Sequence, residues 1–247
     1  MIFAPYADDL ARRVAARAPH AVLETAAGTG ALTRALSRAL PDECRLVATD
    51  LNPPMLARAA ERQQGGRAVE FRPADALALP FDAGSFDAVA CQFGAMFFPD
   101  RPAGFREARR VLRPGGRYLF NVWDTLETNV FTLTVTEALA AMFPDDPPRF
   151  MSRTPHGYAD ATRIRADLSA AGYTDIAIEP VEMVSRGTSA GEVALALCQG
   201  TPLRNEIEAR DASRLEDATA RSAEALERAF GSGPIEGCIK ALVIEAA

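Results

Sequence analysis

Residues 23–36, LETAAGTGALTRAL, combine a strand-like run, a loop of small residues and the start of a helix. A loop of this kind between a strand and a helix suits two classes of ligand, phosphates and adenosyl groups. The loop carries Gly28 and Gly30, and a second predicted strand ends in Asp50, twenty residues after Gly30. A carboxylate at that spacing suits the hydroxyls of a ribose. These residues therefore predict a ligand that contains a ribose.

Glu24 helps to distinguish the two ligand classes, because it lies near the tip of the first predicted strand, just before the loop. A carboxylate there would repel a pyrophosphate, but it would attract the cationic amino group and sulfonium of S-adenosylmethionine. Thr33 stands where the dinucleotide-binding pattern G-x-G-x-x-G has its third glycine. Taken alone, Glu24 could equally be a helix-capping or surface acid. Together with the two glycines and Asp50, it favours an S-adenosylmethionine site over a nicotinamide site.

The composition argues against several other functions. The chain has 247 residues, 48% of them hydrophobic, and a formal net charge of −6, which is the balance of a globular protein and not of a general nucleic-acid binder. Its single lysine, Lys240, lies in a predicted last strand, so neither a P-loop nor the Tyr/Lys pair of a reductase is supported. Two histidines and four separated cysteines predict no metal site. We expect a cytoplasmic protein without a nucleic-acid or membrane partner, either a monomer or a homodimer.

The order of predicted elements indicates an α/β fold, because strands and helices alternate in the first half of the chain. Strands are predicted at 21–25, 44–50, 68–73, 86–93 and 117–123, with helices at 3–15, 31–40, 53–63 and 104–112. Pro114-Gly115-Gly116 is predicted to end the last of these helices. Beyond residue 124 we predict helices at 129–143 and 159–172, a strand at 174–185, a mostly helical stretch at 189–230 and a last strand at 238–246.

Five stretches between residues 22 and 123 carry a family resemblance: VLETAAGTG, VATDLNPPMLARA, RPADALALPF, FDAVACQFGAMFFPD and REARRVLRPGGRYLF. Each is weak alone, but the set is specific in its order and spacing. With them the chain resembles the class I S-adenosylmethionine-dependent methyltransferases, in particular the small-molecule branch that includes the ubiquinone and menaquinone C-methyltransferases. One departure is Ala26, where the family usually has the first glycine of its loop. Alanine is tolerable at this position if its φ is negative.

The resemblance implies a Rossmann-like sheet of seven strands, mostly parallel with the last strand antiparallel, with helices on both faces and helical cap insertions. The expected organisation is a cofactor-binding core at 1–123, a cap insertion at 124–160, a core helix and sixth strand at 161–188, a helical cap at 189–236 and the last core strand at 237–247.

The resemblance also implies roles for individual residues. Glu24 would face the methionine moiety, Asp50 would accept both ribose hydroxyls, and Asp75 would accept from the adenine amino group. Tyr6 would either touch the carboxylate of the ligand or pack in the core. The complete set of expected cofactor-binding residues is Tyr6, Glu24, Ala26, Gly28, Thr29, Gly30, Asp50, Leu51, Met55, Ala74, Asp75, Ala76, Gln92 and Phe93.

The expected reaction is methyl transfer to a small, apolar or aromatic acceptor by in-line displacement, with O- and C-methylation both open. Alignment and exclusion of water accelerate such a step most, and a base is needed only if the acceptor arrives protonated. His156 is the candidate base, and the other candidates for the acceptor pocket are Met96, Phe97, Asn121, Trp123, Tyr158, Gln199 and Arg204. A quinone-precursor C-methyltransferase, an S-adenosylmethionine-binding protein without transfer activity and a nicotinamide-dependent oxidoreductase remain alternatives.

Overall fold

The computed structural model describes residues 3–63 and 67–247, so residues 1, 2 and 64–66 of the expected core lie outside it. The strands are β1 Ala21–Glu24, β2 Arg45–Asp50, β3 Glu70–Pro73, β4 Phe86–Gln92, β5 Leu112–Trp123, β6 Ile176–Gly187 and β7 Ile235–Ala246. The α-helices are α1 Ala4–Ala15, α2 Ala31–Ala39, α3 Pro53–Arg62, α4 Arg101–Val111, α5 Val130–Met142, α6 Phe150–Arg153, α7 Ala161–Ala170, α8 Ala190–Cys198, α9 Leu203–Asp211 and α10 Leu215–Phe230.

Short polar side chains start several of these helices. The Asn52 side chain accepts a hydrogen bond from the Met55 amide at 3.3 Å at the start of α3, and Asp100 accepts from the Ala103 amide at 2.9 Å at the start of α4. Both helices carry proline in their first turn, where the missing N–H group is not needed. Asp160 caps α7 in the same way. These local signals set the helix starts: α3 begins at Pro53 as predicted, whereas α4 begins at Arg101, three residues before the predicted start at 104.

The seven strands form one sheet in the order β3-β2-β1-β4-β5-β7-β6. The sheet is mostly parallel and its last strands are antiparallel, which confirms the predicted Rossmann-like fold. All four residues of the central strand β1 are buried, as expected for a parallel strand that is covered on both faces.

The parallel register brings the carboxyl ends of the first strands to one edge of the sheet. Glu24 ends β1, and Asp50 at the end of β2 is paired with Pro73 at the end of β3. Gln92 at the end of β4 is paired with Asn121 near the end of β5. The polar side chains that the sequence placed at strand ends therefore share one edge.

The start of β5 differs most from the sequence prediction, while the other strand boundaries shift by three residues or fewer. β5 begins at Leu112 and not at residue 117, so Pro114-Gly115-Gly116 lies inside the strand. The pairing with β4 passes from Phe86–Leu112 directly to Ala88–Arg117, which leaves the proline and glycines in a bulge. A bulge is where proline and glycine are tolerated in a strand, and Gly115 has a φ of +82° there.

The chain divides into two compact units. The sheet unit contains residues 3–122, 160–180 and 242–247, and the helical unit contains residues 123–159 and 181–241. In the helical unit, α10 packs against α5 and α8. This unit has its own apolar core, which includes Phe131, Val135, Leu139, Ile207 and Leu226.

Candidate functional site

A cavity of about 450 Å³ opens in the sheet unit at the edge where β1, β2 and β4 end. Open α/β sheets bind their ligands at this edge. Three carboxylates line the cavity, and none of its described lining residues is lysine or arginine. The lining consists of Phe3, Glu24, Ala26, Ala27, Gly28, Thr29, Ala31, Leu32, Asp50, Leu51, Met55, Ala74, Asp75, Ala76, Leu77, Gln92, Phe93, Gly94, Phe97, Phe98 and Pro99.

The loop between β1 and α2 follows a left-handed path. Gly28 and Gly30 have φ angles of +57° and +80°, which glycine adopts without steric cost. Ala26 also has a positive φ, +53°, so the condition under which alanine would be tolerated here without strain is not met. The Ala27 amide donates to the Thr49 carbonyl at 2.9 Å. This bond to β2 helps to hold Ala26 in a conformation that costs an alanine about 1 kcal/mol.

Glu24 lies at the base of the cavity and is only 1% exposed. The Thr33 hydroxyl donates to its carboxylate at 2.6 Å. Burial, only partly offset by this hydrogen bond, raises the pKa of Glu24 to about 8. A cation beside the carboxyl group would favour its ionised form. Thr33 thus binds the buried acid from the position at which a dinucleotide site has glycine.

Asp50 is fixed by the backbone at both of its carboxylate oxygens. One oxygen accepts from the Gly28 amide at 2.7 Å, and the other accepts from the Asn52 amide at 2.8 Å. Each oxygen has a further lone pair with which to accept a hydrogen bond from a ligand. The side chain therefore joins the glycine loop to the end of β2 and can still bind a hydroxyl group.

The rim beside Asp50 is apolar. Leu51 and Met55, both expected to bind the cofactor, are 72% and 46% exposed and line the cavity. The next segment is tied to β2 because the Ala74 amide donates to the Asp50 carbonyl at 3.0 Å. The Asp75 carboxylate accepts from the Leu77 amide at 2.9 Å and also lines the cavity. These groups form a rim that combines apolar surface with one acid.

The segment after β4 forms another wall. Phe93 has a φ of +51°, and its amide faces both the carbonyl oxygen of Asn121, at 3.1 Å, and the Asn121 side-chain oxygen, at 3.0 Å. The Phe93 ring lies 5.8 Å from the ring of Phe3 and 5.5 Å from that of Tyr6, between ring centroids. The Gln92 amide group donates to the Phe3 carbonyl at 2.8 Å. The start of α1 is therefore attached to this wall.

Of the expected cofactor-binding residues, Tyr6 and Gly30 are not among those that line the cavity. Tyr6 is fully buried on the face of α1 that also carries Leu10 and Val14. This helical spacing in the sequence is typical of a core position, and Phe3, which sequence reasoning missed, lines the cavity instead. Asn121 is also fully buried, and it contacts Phe93 from behind the cavity wall.

In the segment 94–100, the residues that line the cavity are not the pair, Met96 and Phe97, that was expected in the acceptor pocket. Phe97 is 49% exposed and lines the cavity, whereas Met96 is buried and is not among the lining residues. Phe98 and Pro99 line the cavity although they were not predicted to do so. A short 3₁₀ turn at Ala95–Phe97 sets these directions, and the apolar sequence alone does not show which side chain faces outward.

His156, in the helical unit, is partly buried. Its Nδ1 lies 2.7 Å from the carbonyl oxygen of Asp124, and its ring centroid lies 6.3 Å from that of Trp123. Because a carbonyl oxygen can only accept, Nδ1 carries the hydrogen and Nε2 is the acceptor nitrogen. Burial lowers the pKa of His156, so the ring is neutral at pH 7.

The other candidates in the helical unit have partners or are buried there. The Gln199 amide group donates to the Thr219 hydroxyl at 3.1 Å, and Arg204 pairs with Glu208 at 2.8 Å. Tyr158 is 1% exposed. Their assignment to an acceptor pocket stays a prediction.

A second, larger cavity of about 680 Å³ lies in the sheet unit at the ends of the strands opposite to the first. Four arginines line it, and each forms an ion pair with a carboxylate of the same unit. The pairs are Arg13 with Glu179, Arg17 with Glu245, Arg113 with Asp87 and Arg117 with Asp175.

The described residues hold no group of three or more His, Cys, Asp or Glu side chains that could bind a metal ion. Within 3–63 and 67–247, every helix is too short or too polar to cross a bilayer. The four cysteines are free.

Known methyltransferases resemble this chain in sequence and in fold. The family model described as "Methyltransferase domain" matches residues 23–120. The demethylmenaquinone methyltransferase of Thermus thermophilus is 45% identical over 102 residues, which are 41% of this chain and 46% of that protein. The match therefore spans less than half the length of this relative. The demethylmenaquinone methyltransferase of Clavibacter sepedonicus is 31% identical over 193 residues, 74% of this chain and 75% of that protein.

The crystal structure of the YcgJ protein from Bacillus subtilis has the same fold. It aligns with a TM-score of 0.62 and 24% sequence identity, over 98% of this chain and 97% of that chain. The fold, the glycine loop between two strand-end acids, and the match over three quarters of the second relative lead to one conclusion. This chain belongs to the S-adenosylmethionine-dependent methyltransferase family.

Proposed function

We propose that this chain binds S-adenosylmethionine in the cavity at the carboxyl ends of β1, β2 and β4 and transfers its methyl group to a small acceptor. The acidic lining of the cavity carries this proposal, since Asp50 and Asp75 line it together with Glu24, whose ionised form a cationic ligand would favour, and none of the described lining residues is basic. Such a lining attracts a cationic amino group and a sulfonium, and it disfavours the pyrophosphate of a nicotinamide dinucleotide. A volume of about 450 Å³ suits a ligand of this size.

The glycine loop lies close against α3. A Cβ atom on Gly30 would lie 3.0 Å from the Cβ of Ala59, so the backbone there passes against α3 with no room for a side chain. Asp50 would accept hydrogen bonds from the ribose hydroxyls, and Leu51 and Met55 would cover the adenine. Glu24 would face the cationic methionine end.

When bound, S-adenosylmethionine supplies a methyl group on a positively charged sulfur. The residues of this chain would orient that group and exclude water from it, which is the main requirement of an in-line displacement. Phe93, Phe97 and Phe98 provide apolar surface in the lining for this purpose. The same surface supports an acceptor that is small and apolar or aromatic.

A quinone precursor methylated at carbon is the second candidate acceptor. Its support is that relatives named demethylmenaquinone methyltransferase match this chain, one of them over 75% of its length. A hydroxylated ring of this kind would need to lose a proton before or during attack. We propose His156 as the base, with Nε2 accepting the proton while Nδ1–H remains bound to the Asp124 carbonyl.

Calorimetric titration of the full chain with S-adenosylmethionine, S-adenosylhomocysteine and NADH tests the cofactor. We expect binding of both adenosyl ligands and none of NADH. Binding of NADH alone would overturn the proposal in favour of an oxidoreductase. Turnover is then measured on a panel of phenols and demethylated quinones, and cofactor binding without turnover on any of them would favour a binding protein without transfer activity.

The His156→Ala variant tests the base. Its affinity for S-adenosylhomocysteine should equal that of the wild type, while kcat falls about 100-fold, the usual contribution of a general base. Unchanged kcat between pH 6 and 9 would remove His156 from the mechanism and leave the cofactor assignment intact.

A further inference from the structure

Phe93 has an unusual backbone conformation at a place where a ligand would bind. Its φ of +51° is one that bulky side chains rarely adopt, and its ring is part of the cavity wall. Residues held in such conformations persist only where their surroundings determine them, and they concentrate at binding sites. The contacts that hold Phe93 in this conformation therefore help to determine the shape of the cavity wall.

Asn121 provides the most direct of these contacts. It is fully buried and lies opposite Gln92 in the pairing of β4 with β5. Both its main-chain oxygen, at 3.1 Å, and its side-chain oxygen, at 3.0 Å, accept from the Phe93 amide. The side-chain oxygen therefore gives the Phe93 amide a second acceptor beside the main-chain one.

The residues after Phe93 limit its freedom to relax. A Cβ atom at Gly94 would lie 2.4 Å from the Cβ of Ala26 and 2.8 Å from the sulfur of Cys91. The turn is therefore packed directly against the loop after β1, where Ala26 has a positive φ of its own. A change at Phe93 would be transmitted to that loop, which also lines the cavity.

The Asn121 side chain is itself incompletely satisfied. Its Nδ2 atom is buried and has no hydrogen-bond partner. A buried amide with an orphan donor destabilises the folded state, and an apolar residue of similar size would avoid that cost. The presence of a side-chain amide at residue 121 is therefore explained by its oxygen atom, which accepts a hydrogen bond from the Phe93 N–H group.

We propose that Asn121 is a positioning residue of the cofactor cavity, which acts by holding Phe93 in the left-handed conformation that forms the cavity wall. Asn121 touches no ligand, because it lies behind that wall. The inference rests on the proposed function, since the ligand whose binding it supports is S-adenosylmethionine.

The test compares three variants of the full chain with the wild type. Asn121→Leu removes the acceptor and keeps the approximate size, and Asn121→Asp keeps an acceptor oxygen. Ser222→Ala removes a fully buried hydroxyl in the helical unit and serves as the control for lost stability. The affinity for S-adenosylhomocysteine is measured by calorimetry at 20 °C, and Tm is measured for every variant.

We expect Asn121→Leu to weaken S-adenosylhomocysteine binding at least 10-fold and Asn121→Asp to stay within 3-fold of the wild type. Ser222→Ala should lower Tm and leave the affinity within 2-fold. If Asn121→Leu does not fold, Asn121→Ser, whose shorter side chain does not reach the amide, should show the same loss. Wild-type affinity in a folded Leu or Ser variant would overturn the positioning role.

A double-mutant comparison separates positioning from general support. Glycine adopts a positive φ freely, so in a Phe93→Gly background the additional effect of Asn121→Leu on affinity should fall below 3-fold. An undiminished 10-fold effect in that background would contradict the proposal. If the wild type itself fails to bind S-adenosylhomocysteine, the proposed function fails, which is a different result from normal binding by Asn121→Leu.

Discussion

The sheet unit has a cavity at each end of its strands, and the two differ in how their charges are satisfied. The larger cavity, of about 680 Å³, is lined by four arginines, and each of them has a carboxylate partner in the same unit. The smaller cavity, of about 450 Å³, has three carboxylates and no basic lining residue among those described. The carboxylates at the smaller cavity accept hydrogen bonds from uncharged groups and have no basic residue beside them in the described lining, which suits a cationic ligand. The acidic lining, and not the volume, is therefore the reason for placing the proposed ligand in the smaller cavity.

The two ends differ in the direction of their pKa shifts, although each has an alanine at a positive φ, Ala18 at +46° in the lining of the larger cavity and Ala26 at +53° in that of the smaller one. At the ligand end, Ala26 and Phe93 have positive φ angles, and burial raises the pKa of Glu24 to about 8. At the opposite end, burial tends to raise the pKa of Asp87, but hydrogen bonds from the Ala21 and His20 amides and from Arg113 outweigh it and lower the pKa. The raised pKa of Glu24 therefore lowers stability at neutral pH, whereas the lowered pKa of Asp87 adds stability there.

The largest expected effect is on ligand affinity in the Asp50→Ala variant. It removes the acceptor for the ribose hydroxyls and also the bonds to the Gly28 and Asn52 amides. We expect a loss of about 3 kcal/mol in binding S-adenosylhomocysteine, more than a hundredfold in Kd by calorimetry. An unchanged Kd would exclude Asp50 from the site and would remove the functional difference between the two cavities.

The pH dependence of the free energy of unfolding should report the raised pKa of Glu24. Its pKa of about 8 in the folded protein lies above the ordinary value of 4.5, so the folded state binds a proton that the unfolded state has released. Stability should therefore fall as pH rises from about 4.5 to 8. Glu24→Gln removes this slope, and at pH 8 it should be more stable than the wild type by on the order of 2 kcal/mol in urea unfolding. Parallel pH profiles of the two proteins would contradict the raised pKa.

The pH dependence of ligand affinity is a second measure of the ionisation of Glu24. A cationic ligand favours ionised Glu24, so affinity for S-adenosylmethionine should rise between pH 6 and 8, by up to about tenfold per pH unit. The Gln variant should show a flat profile. 5′-Methylthioadenosine, which lacks the amino group and the sulfonium, is the matched control and should bind independently of pH. A rise for this neutral ligand as well would assign the pH dependence to another group.

The sequence was sufficient for those parts of the site that local patterns determine. Gly28, Gly30 and the strand-end acids Glu24 and Asp50 follow from the alternation of elements and from the rule that parallel strands end at one edge. The conformation of Ala26 did not follow, because tertiary bonds to β2 hold it against its local preference. Asn121 was expected in the acceptor pocket. The direction of its side chain depends on the backbone conformation of the turn after β4, which the sequence pattern does not determine.

At the arginine end, Asp87→Asn should change stability and leave ligand affinity unchanged. The carboxylate accepts from the His20 and Ala21 amides, both at 2.8 Å, and from Arg113 at 2.8 Å. We expect a loss of about 1 kcal/mol at pH 7. Because the pKa of Asp87 is lowered in the folded state, its contribution is present above the unfolded value of 3.8. The difference between variant and wild type should therefore disappear as pH falls through the folded-state pKa.

The affinity of Asp87→Asn for S-adenosylhomocysteine should stay within twofold of the wild type. This measurement decides whether the two ends of the strands are independent. A large loss of affinity would mean that the paired charges support the ligand site across the length of β1 and β4, and the contrast between the two cavities would then be one of degree.

The smallest expected effect is a gain in stability in Ala26→Gly. Glycine at a φ of +53° removes the steric cost of the methyl group, and this gain should exceed the entropy that glycine adds to the unfolded chain. We expect a net stabilisation of about 0.5 kcal/mol in urea unfolding, with ligand affinity changed little. Ala27→Gly is the matched control, because Ala27 is not among the positive-φ residues of the described chain and should lose stability on the same change. Destabilisation of Ala26→Gly would mean that the methyl contact with Gly94 outweighs the backbone strain, so that the loop after β1 is held by packing as well as by its bond to β2.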